Sequence, residues 1–287
     1  MAIEDVKILP TAGIASKVIN RPLTITQSLT SQVALISQIR SGFAILSASV
    51  FTRLYTATIG LDVGIVAPGS TLGAVTLTIG GTTTKFKVNS AVLGISTAID
   101  PNTGLPTIVQ KAITDNNVFS SAFTVNTAAA AGTFWGAVRI QMDVNGVITT
   151  KVVSADQTFP TEALAIANAP AANVGQINLG TISINPATGV TYTAGTTALT
   201  GAGITVNYNG VTDGFVTALT GAIAPVAANY VAGVMAAFIN RSLGVKGGLL
   251  VARYTTDGSA AITDCELDVT YRPYPLNGEV ITNPIPG

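Results

Sequence analysis

The sequence predicts a mainly β protein. It is expected to have an antiparallel β-sandwich outer domain, an inserted β-rich domain carrying one short helix, and an extended N-terminal arm. Three observations carry that prediction. Apolar and polar residues alternate with period two near both ends of the chain, in YTATIGLDVGI at 55–65 and DCELDVTYR at 264–272. Turn-forming pairs such as Asn145-Gly146 and Asp257-Gly258 punctuate the apolar runs. Only PTEALAIANAP, with Pro160 at its start, Glu162 in its first turn and Pro170 closing it, has the start and stop signals of a helix.

Taken in order, residues 1–40 contain Pro10 and Pro22, many hydroxyls and no sustained period, so they read as an extended arm. The apolar residues there (Ile3, Ile8, Leu9, Ile14, Val18, Ile19) are too many for a free tail, and the arm is expected to lie on a neighbouring subunit. Strands begin at Phe43. In 55–65 the odd positions Tyr55, Ala57, Ile59, Leu61, Val63 and Ile65 form one apolar face. Residues 41–72 and 210–280 are assigned to the discontinuous outer domain, 73–209 to the inserted one and 281–287 to a tail.

The inserted block supplies AVTLTIGG, TTKFKVN, a turn at DPNTG, the hairpin GTFWGAVRIQMDVNGVITTKV, then GQINLGTISI, NPATG and VTYTAGTTAL. A two-residue loop in the hairpin would mix polar and apolar partners on both faces. A three-residue loop, Val144-Asn145-Gly146 with Gly146 left-handed, pairs Met142 with Ile148, Ile140 with Thr150 and Val138 with Val152. Asp143, Gln141, Arg139, Lys151 and Thr149 then share the opposite, wet face. A one-residue slip turns every side chain over, so the cleaner sorting selects the second register.

Beyond the block, residues 229–241 are open between helix, which Val231, Val234, Met235 and Phe238 suit, and strand, which the surroundings and Gly233 favour. No charge occurs from Gly214 to Asn240. This stretch is rich in Ala and Gly and interrupted by Pro225, Asn229 and Asn240. It therefore reads as buried or intersubunit rather than as a membrane span. In the final strand Cys265, Leu267, Val269 and Tyr271 face one way, and Asp264, Glu266, Asp268 and Thr270 the other.

Composition bounds function. Charged residues make up 10% of the 287, net charge is zero and mean hydropathy is +0.52. A lone monomer so poor in charge is poorly soluble, so much of the surface is expected to meet other subunits. The 14 basic residues are scattered, against the basic footprint that nucleic acid demands. The chain opens on Met-Ala-Ile-Glu-Asp, which is not the basic start of a signal peptide.

The sequence has no histidine, so Ser-His-Asp and Cys-His pairs are excluded and no imidazole can bind metal. One cysteine excludes an intrachain disulfide and a cysteine-based zinc site, and Cys265 reads as a small buried hydrophobe. Asp264, Glu266 and Asp268 could in principle hold calcium, but a solvated strand face, one that also blunts a sheet edge, is the preferred reading. Asp100 and Asn102 in DPNTG read as a plain turn. Trp135 falls beside Arg139 on the wet face, as a cover for the hairpin rim or an interface anchor. The expectation is no catalytic residue, cofactor or metal.

The wording of GTFWGAVRIQMDVNGVITTKV, ALAIANAPAANVGQINLGTISI and YTAGTTAL resembles a module of structural proteins of tailed bacteriophages. ARYTTDGSAAITDCELDVTYRPYPLNGE is similar to a second module of the same proteins, where a strand, a T-T-D-G turn and a strand ending in R-P close a small β domain. The resemblance covers most of 41–280 and none of the first 40 residues. It implies a non-enzymatic virion structural protein made in the host cytoplasm, most simply a capsid decoration (cement) protein on the head surface. Its partners would be the major capsid protein and sister subunits in a homo-oligomer, first of all a trimer, without nucleic acid or membrane. The alternatives are a tail, baseplate or fibre component, or a receptor- or glycan-binding module.

Overall fold

A computed structural model describes the backbone of residues 5–8, 15–25, 31–38, 43–52, 59–101, 106–126, 134–223, 231–236, 249–256 and 262–273, and side-chain environments chiefly within 67–215. The chain divides into two compact units, Met1–Ala67 with Phe215–Gly287, and Pro68–Gly214. The expected boundaries of the insertion, 73 and 209, each fall five residues inside the observed ones.

The discontinuous unit is antiparallel β. From the first half of the chain come β1 (Asp5–Ile8), β2 (Ala15–Ile25), β3 (Ser31–Gln38), β4 (Phe43–Thr52) and β5 (Ile59–Val66). After the insertion follow β18 (Val216–Ile223), β19 (Val231–Ala236), β20 (Leu249–Thr256) and β21 (Ile262–Pro273). One sheet runs β1-β2-β21-β4-β19 and the other β18-β5-β20-β3, so each interleaves strands from both ends of the sequence. Of the alternating segment 55–65, residues 59–65 lie in β5 and 55–58 lie outside the described residues, and 264–272 lies within β21. Within the open stretch at 229–241, Val231–Ala236 is strand β19, paired with β4 from Val231↔Thr52 to Ala236↔Ser47, and the rest lies outside the described residues. The uncharged stretch from Gly214 contributes β18 and β19, and among the described residues no helix is long and apolar enough to cross a membrane.

The structure differs from the sequence reading in two places here. Residues 1–40, expected as an arm across a neighbour, instead supply β1, β2 and β3 to the sheets of their own unit. The twelve-residue β21 needs a hydrogen-bonding partner on each flank, and β2 pairs with it from Lys17↔Tyr271 to Ile25↔Ile262. β2 keeps unbroken register with β21 from Lys17 to Leu23, and the adjacent apolar pairs Val18-Ile19 and Pro22-Leu23 deny it the alternation that would have announced it in the sequence. Pro22 lies beyond the part of β2 that β1 covers, Ala15–Val18, where a missing N–H is tolerated. Second, β21 is interior, between β2 and β4, so Asp264, Glu266 and Asp268 do not blunt a sheet edge. Their side chains, the Asp257-Gly258 turn and the tail at 281–287 lie outside the described residues.

The inserted unit holds β6 (Leu77–Ile79), β7 (Phe86–Val88), β8 (Val92–Ile99), β9 (Pro106–Lys111), β10 (Thr114–Asn117), β11 (Thr124–Asn126), β12 (Gly136–Met142), β13 (Ile148–Lys151), β14 (Asp156–Gln157), α1 (Glu162–Asn168), β15 (Ile177–Pro186), β16 (Thr191–Thr193) and β17 (Ile204–Gly210). Its largest sheet runs β13-β12-β15-β17. One face of that sheet presents Val138, Ile140, Met142, Leu179, Ile182 and Ile184 to a core shared with residues of the smaller sheets, among them Phe86, Val88, Val92 and Val109. Aromatic rings line up through this core, with centroids 5.2 Å apart for Phe86–Phe119, 6.1 Å for Phe119–Phe123 and 5.7 Å for Phe123–Tyr192. Each fully buried side chain of this kind contributes about 1.5–3 kcal/mol through removal from water. The two ends of the unit meet, the Gly214 N–H donating to the Thr71 carbonyl at 3.0 Å.

The hairpin has the three-residue loop. Met142 faces Ile148 and Ile140 faces Thr150, Gly146 has φ +74°, and the Gly146 and Asp143 N–H groups donate to the carbonyls of Asp143 and Val147. The Asp143 carboxylate completes the turn by accepting from the Asn145 and Val147 N–H groups at 2.9 and 2.8 Å.

Candidate functional site

The face of the large sheet turned away from the core follows from alternation. Opposite Val138, Ile140 and Ile182 lie Trp135, Ala137, Arg139 and Gln141 on β12 and its approach, Thr181, Ser183 and Asn185 on β15, and Thr205, Asn207 and Asn209 on β17. This face was expected to be wet, but α1 and the segment after it cover its β12 and β15 side, while Thr205 and Asn209 stay exposed. Ala165 and Ala169 of that segment pack on Ala137, with Trp135 and Phe159 closing the rim of this second small core. Small residues let the helix lie close to the sheet. Trp135 is held there by a backbone bridge in which it and Phe159 exchange N–H···O bonds of 2.8 and 3.0 Å.

The helix begins at Thr161, whose hydroxyl accepts from the Leu164 N–H at 3.2 Å, an N-cap arrangement. That start puts the Glu162 carboxylate over the sheet, where Oε1 accepts from Ser183 Oγ at 2.5 Å and Asn207 Nδ2 at 2.9 Å. Burial raises the carboxyl pKa, but hydrogen bonds from Ser183, Asn207 and Asn209 outweigh it, and the group is held below the ordinary carboxylate range. At the other end of α1, Arg139 Nε donates to the Pro170 carbonyl at 3.1 Å and Nη1 to Asn178 Oδ1 at 3.3 Å. Lys151 Nζ donates to the Ala171 carbonyl at 3.1 Å, and Gln141 Oε1 accepts from the Asn173 N–H at 2.9 Å. Burial lowers the pKa of the Arg139 guanidinium.

Chemically this arrangement is a clasp. A general base works best with a pKa near ambient pH, and Glu162 is displaced the other way. Ser183, the one hydroxyl it touches, is fully buried and out of reach of a substrate. Asp115 serves the backbone, its Oδ1 accepting from the Gly81 and Asn116 N–H groups at 2.9 and 2.7 Å, which lowers its pKa, and Asp156 Oδ1 accepts from the Thr124 hydroxyl at 2.6 Å. Tyr192 is buried with its hydroxyl unpartnered, and burial together with Tyr208 raises its pKa far above the phenol range.

Among the described residues, no group of three or more His, Cys, Asp or Glu side chains converges. Asp100 follows β8 directly and Pro101 begins a turn, while Asn102 and the rest of DPNTG lie outside the described residues. Cys265 pairs through its backbone with Leu23 and Thr52.

Sequence reasoning saw Glu162 only as a first-turn acid and missed its partners. The signal was present in ITVNYNG and TISIN, where Asn207, Asn209, Ser183 and Asn185 alternate with core residues. Compared with known family models, curated proteins and solved structures, the chain has no significant match.

Proposed function

We propose that this chain is a non-enzymatic structural protein of a tailed-bacteriophage virion and, more narrowly, a decoration protein that binds the head surface and stabilises contacts between capsomers. The observation that carries the reading is how the polar groups of the inserted unit are used. Glu162, Arg139, Lys151, Gln141, Asp143 and Asp115 all clasp elements of their own fold. A unit built this way works as a brick, and the low charge of the chain suits a molecule that buries its surface against others. With residues 5–8, 15–25 and 31–38 engaged in their own sheets, the attachment surface is assigned to the β units rather than to an arm.

The test is to add the purified protein to undecorated phage heads and locate it by electron microscopy. Density at regular positions on the head surface, with a raised disruption temperature of the heads, is the expected result. Density only on tails or fibres would overturn the narrower form, and no association with any virion part would overturn both.

A further inference from the structure

We infer that β17 is a self-pairing edge, through which two copies of this chain join their large sheets into one continuous eight-stranded sheet about a two-fold axis at Asn207. The inference stands on the edge itself and does not depend on the virion reading.

The large sheet ends in two unlike strands. At one edge β13 is four residues long and carries Lys151, the short, charged form that discourages further pairing. At the other edge β17 is seven residues long, ITVNYNG, without charge, proline or bulge, in unbroken register with β15 from Gly180↔Gly210 to Pro186↔Ile204. Among the described residues no strand pairs with its outer side.

The direction of its backbone groups follows from one bond. The Val211 N–H donates to the Leu179 carbonyl at 3.2 Å, so by antiparallel alternation the groups of Asn209, Asn207 and Thr205 face β15. Those of Gly210, Tyr208, Val206 and Ile204 face outward. Among the described residues, the Ile204 N–H alone of these is satisfied locally, by the Gly201 carbonyl at 3.0 Å.

A second copy of this strand fits that edge better than an arbitrary strand does. Placing the two-fold axis at Asn207 sets Val206 opposite the partner's Tyr208 in hydrogen-bonded pairs, on the side where both already pack against the core. β-Branched and aromatic residues are a favourable cross-strand pair. On the other side Thr205 meets the partner's Asn209, two short hydrogen-bonding side chains, and no like charges meet anywhere. An isologous contact requires such a self-complementary patch. A strand of seven residues spans about 23 Å. Its edge alone buries less than the roughly 1,200 Å² of a stable interface, so the dimer is expected to be reversible and concentration-dependent.

Sedimentation velocity on the full chain across a range of concentrations tests this, together with hydrogen exchange at the Val206 and Tyr208 amides. Wild type should pass from monomer to dimer, and both amides should gain protection as it does. Thr205 and Asn209 are exposed. Because Asn209 also hydrogen-bonds to Glu162, N209A, which removes that bond without adding charge, serves as the reference and should associate like wild type. T205K/N209K sets two lysine pairs face to face and should weaken association by about tenfold or more, whereas T205K/N209E sets lysine against glutamate and should restore it. A wild type that stays monomeric, unchanged protection at both amides on dimerisation, a T205K/N209K variant that associates like wild type, or a T205K/N209E variant as weak as T205K/N209K would each overturn the inference.

Discussion

Gly146 and Glu162 each do what a neighbouring residue type could not. At φ +74° Gly146 sits where a β-branched side chain clashes with its own backbone, and an added Cβ would also press on the Lys111 side chain at 3.2 Å. Gly146→Val is therefore expected to destabilise the inserted unit by at least about 1 kcal/mol, read by urea denaturation. A neutral result would refute the three-residue loop. Glu162 carries a pH signature. Its pKa is depressed by folding, so its contribution is fully present above the pKa of the unfolded carboxyl and is lost as pH falls through the folded one. The thermal midpoint should drop on acidification below about pH 4, and Glu162→Gln should flatten that part of the profile. An identical acid limb in both proteins would mean that the clasp carries no linkage.

Elements were legible in the sequence where a local rule acts alone. The hairpin register follows from Asn145-Gly146 and two apolar stripes, and α1 from Pro160, Glu162 and Pro170; both appear in the structure as expected. β2 and β3 were illegible because pairing with distant β21 and β20 makes them strands, while Val18-Ile19 and Pro22-Leu23 break the alternation of β2 and a register shift passes over Ile36 in β3. The covering of the hairpin's outer face was hidden for a related reason. Arg139, Gln141 and Lys151 look solvated until α1 folds over the sheet, where the Pro170 and Ala171 carbonyls accept from Arg139 and Lys151 and the Asn173 N–H donates to Gln141. The strand assignment reverses the expectation for truncation. Deleting residues 2–38 removes a neighbour from both β21 and β20, so the discontinuous unit should lose its cooperative transition by circular dichroism while a protease-resistant fragment near 68–214 survives. An unchanged transition would restore residues 1–40 to the status of an arm.

For the whole molecule, the interleaving of both chain ends was legible from two alternating strands that each needed partners, and the position of the inserted block followed from it. Its core cluster lies wholly within 68–214, a length sufficient for an independent core. Residues 68–214 expressed alone are accordingly expected to fold, with a single cooperative thermal transition and dispersed amide resonances. A collapsed or aggregated product would mean that the block needs its host unit. The candidate site was less legible than the architecture because the clasp residues are ordinary Asn, Ser and Glu, whose meaning comes only from the register that aligns β15 with β17.

The meeting of Thr71 with Gly214 also sets an order of events during synthesis. The discontinuous unit cannot finish until β18 to β21 have left the ribosome, and by then the intervening block is complete. Closing an unstructured loop on the order of 150 residues costs about 4 kcal/mol in chain entropy. A folded block whose ends already touch removes most of that cost, so strands from the two halves of the gene meet almost as if they were consecutive. Insertion thus makes a long-range topology behave kinetically like a short-range one.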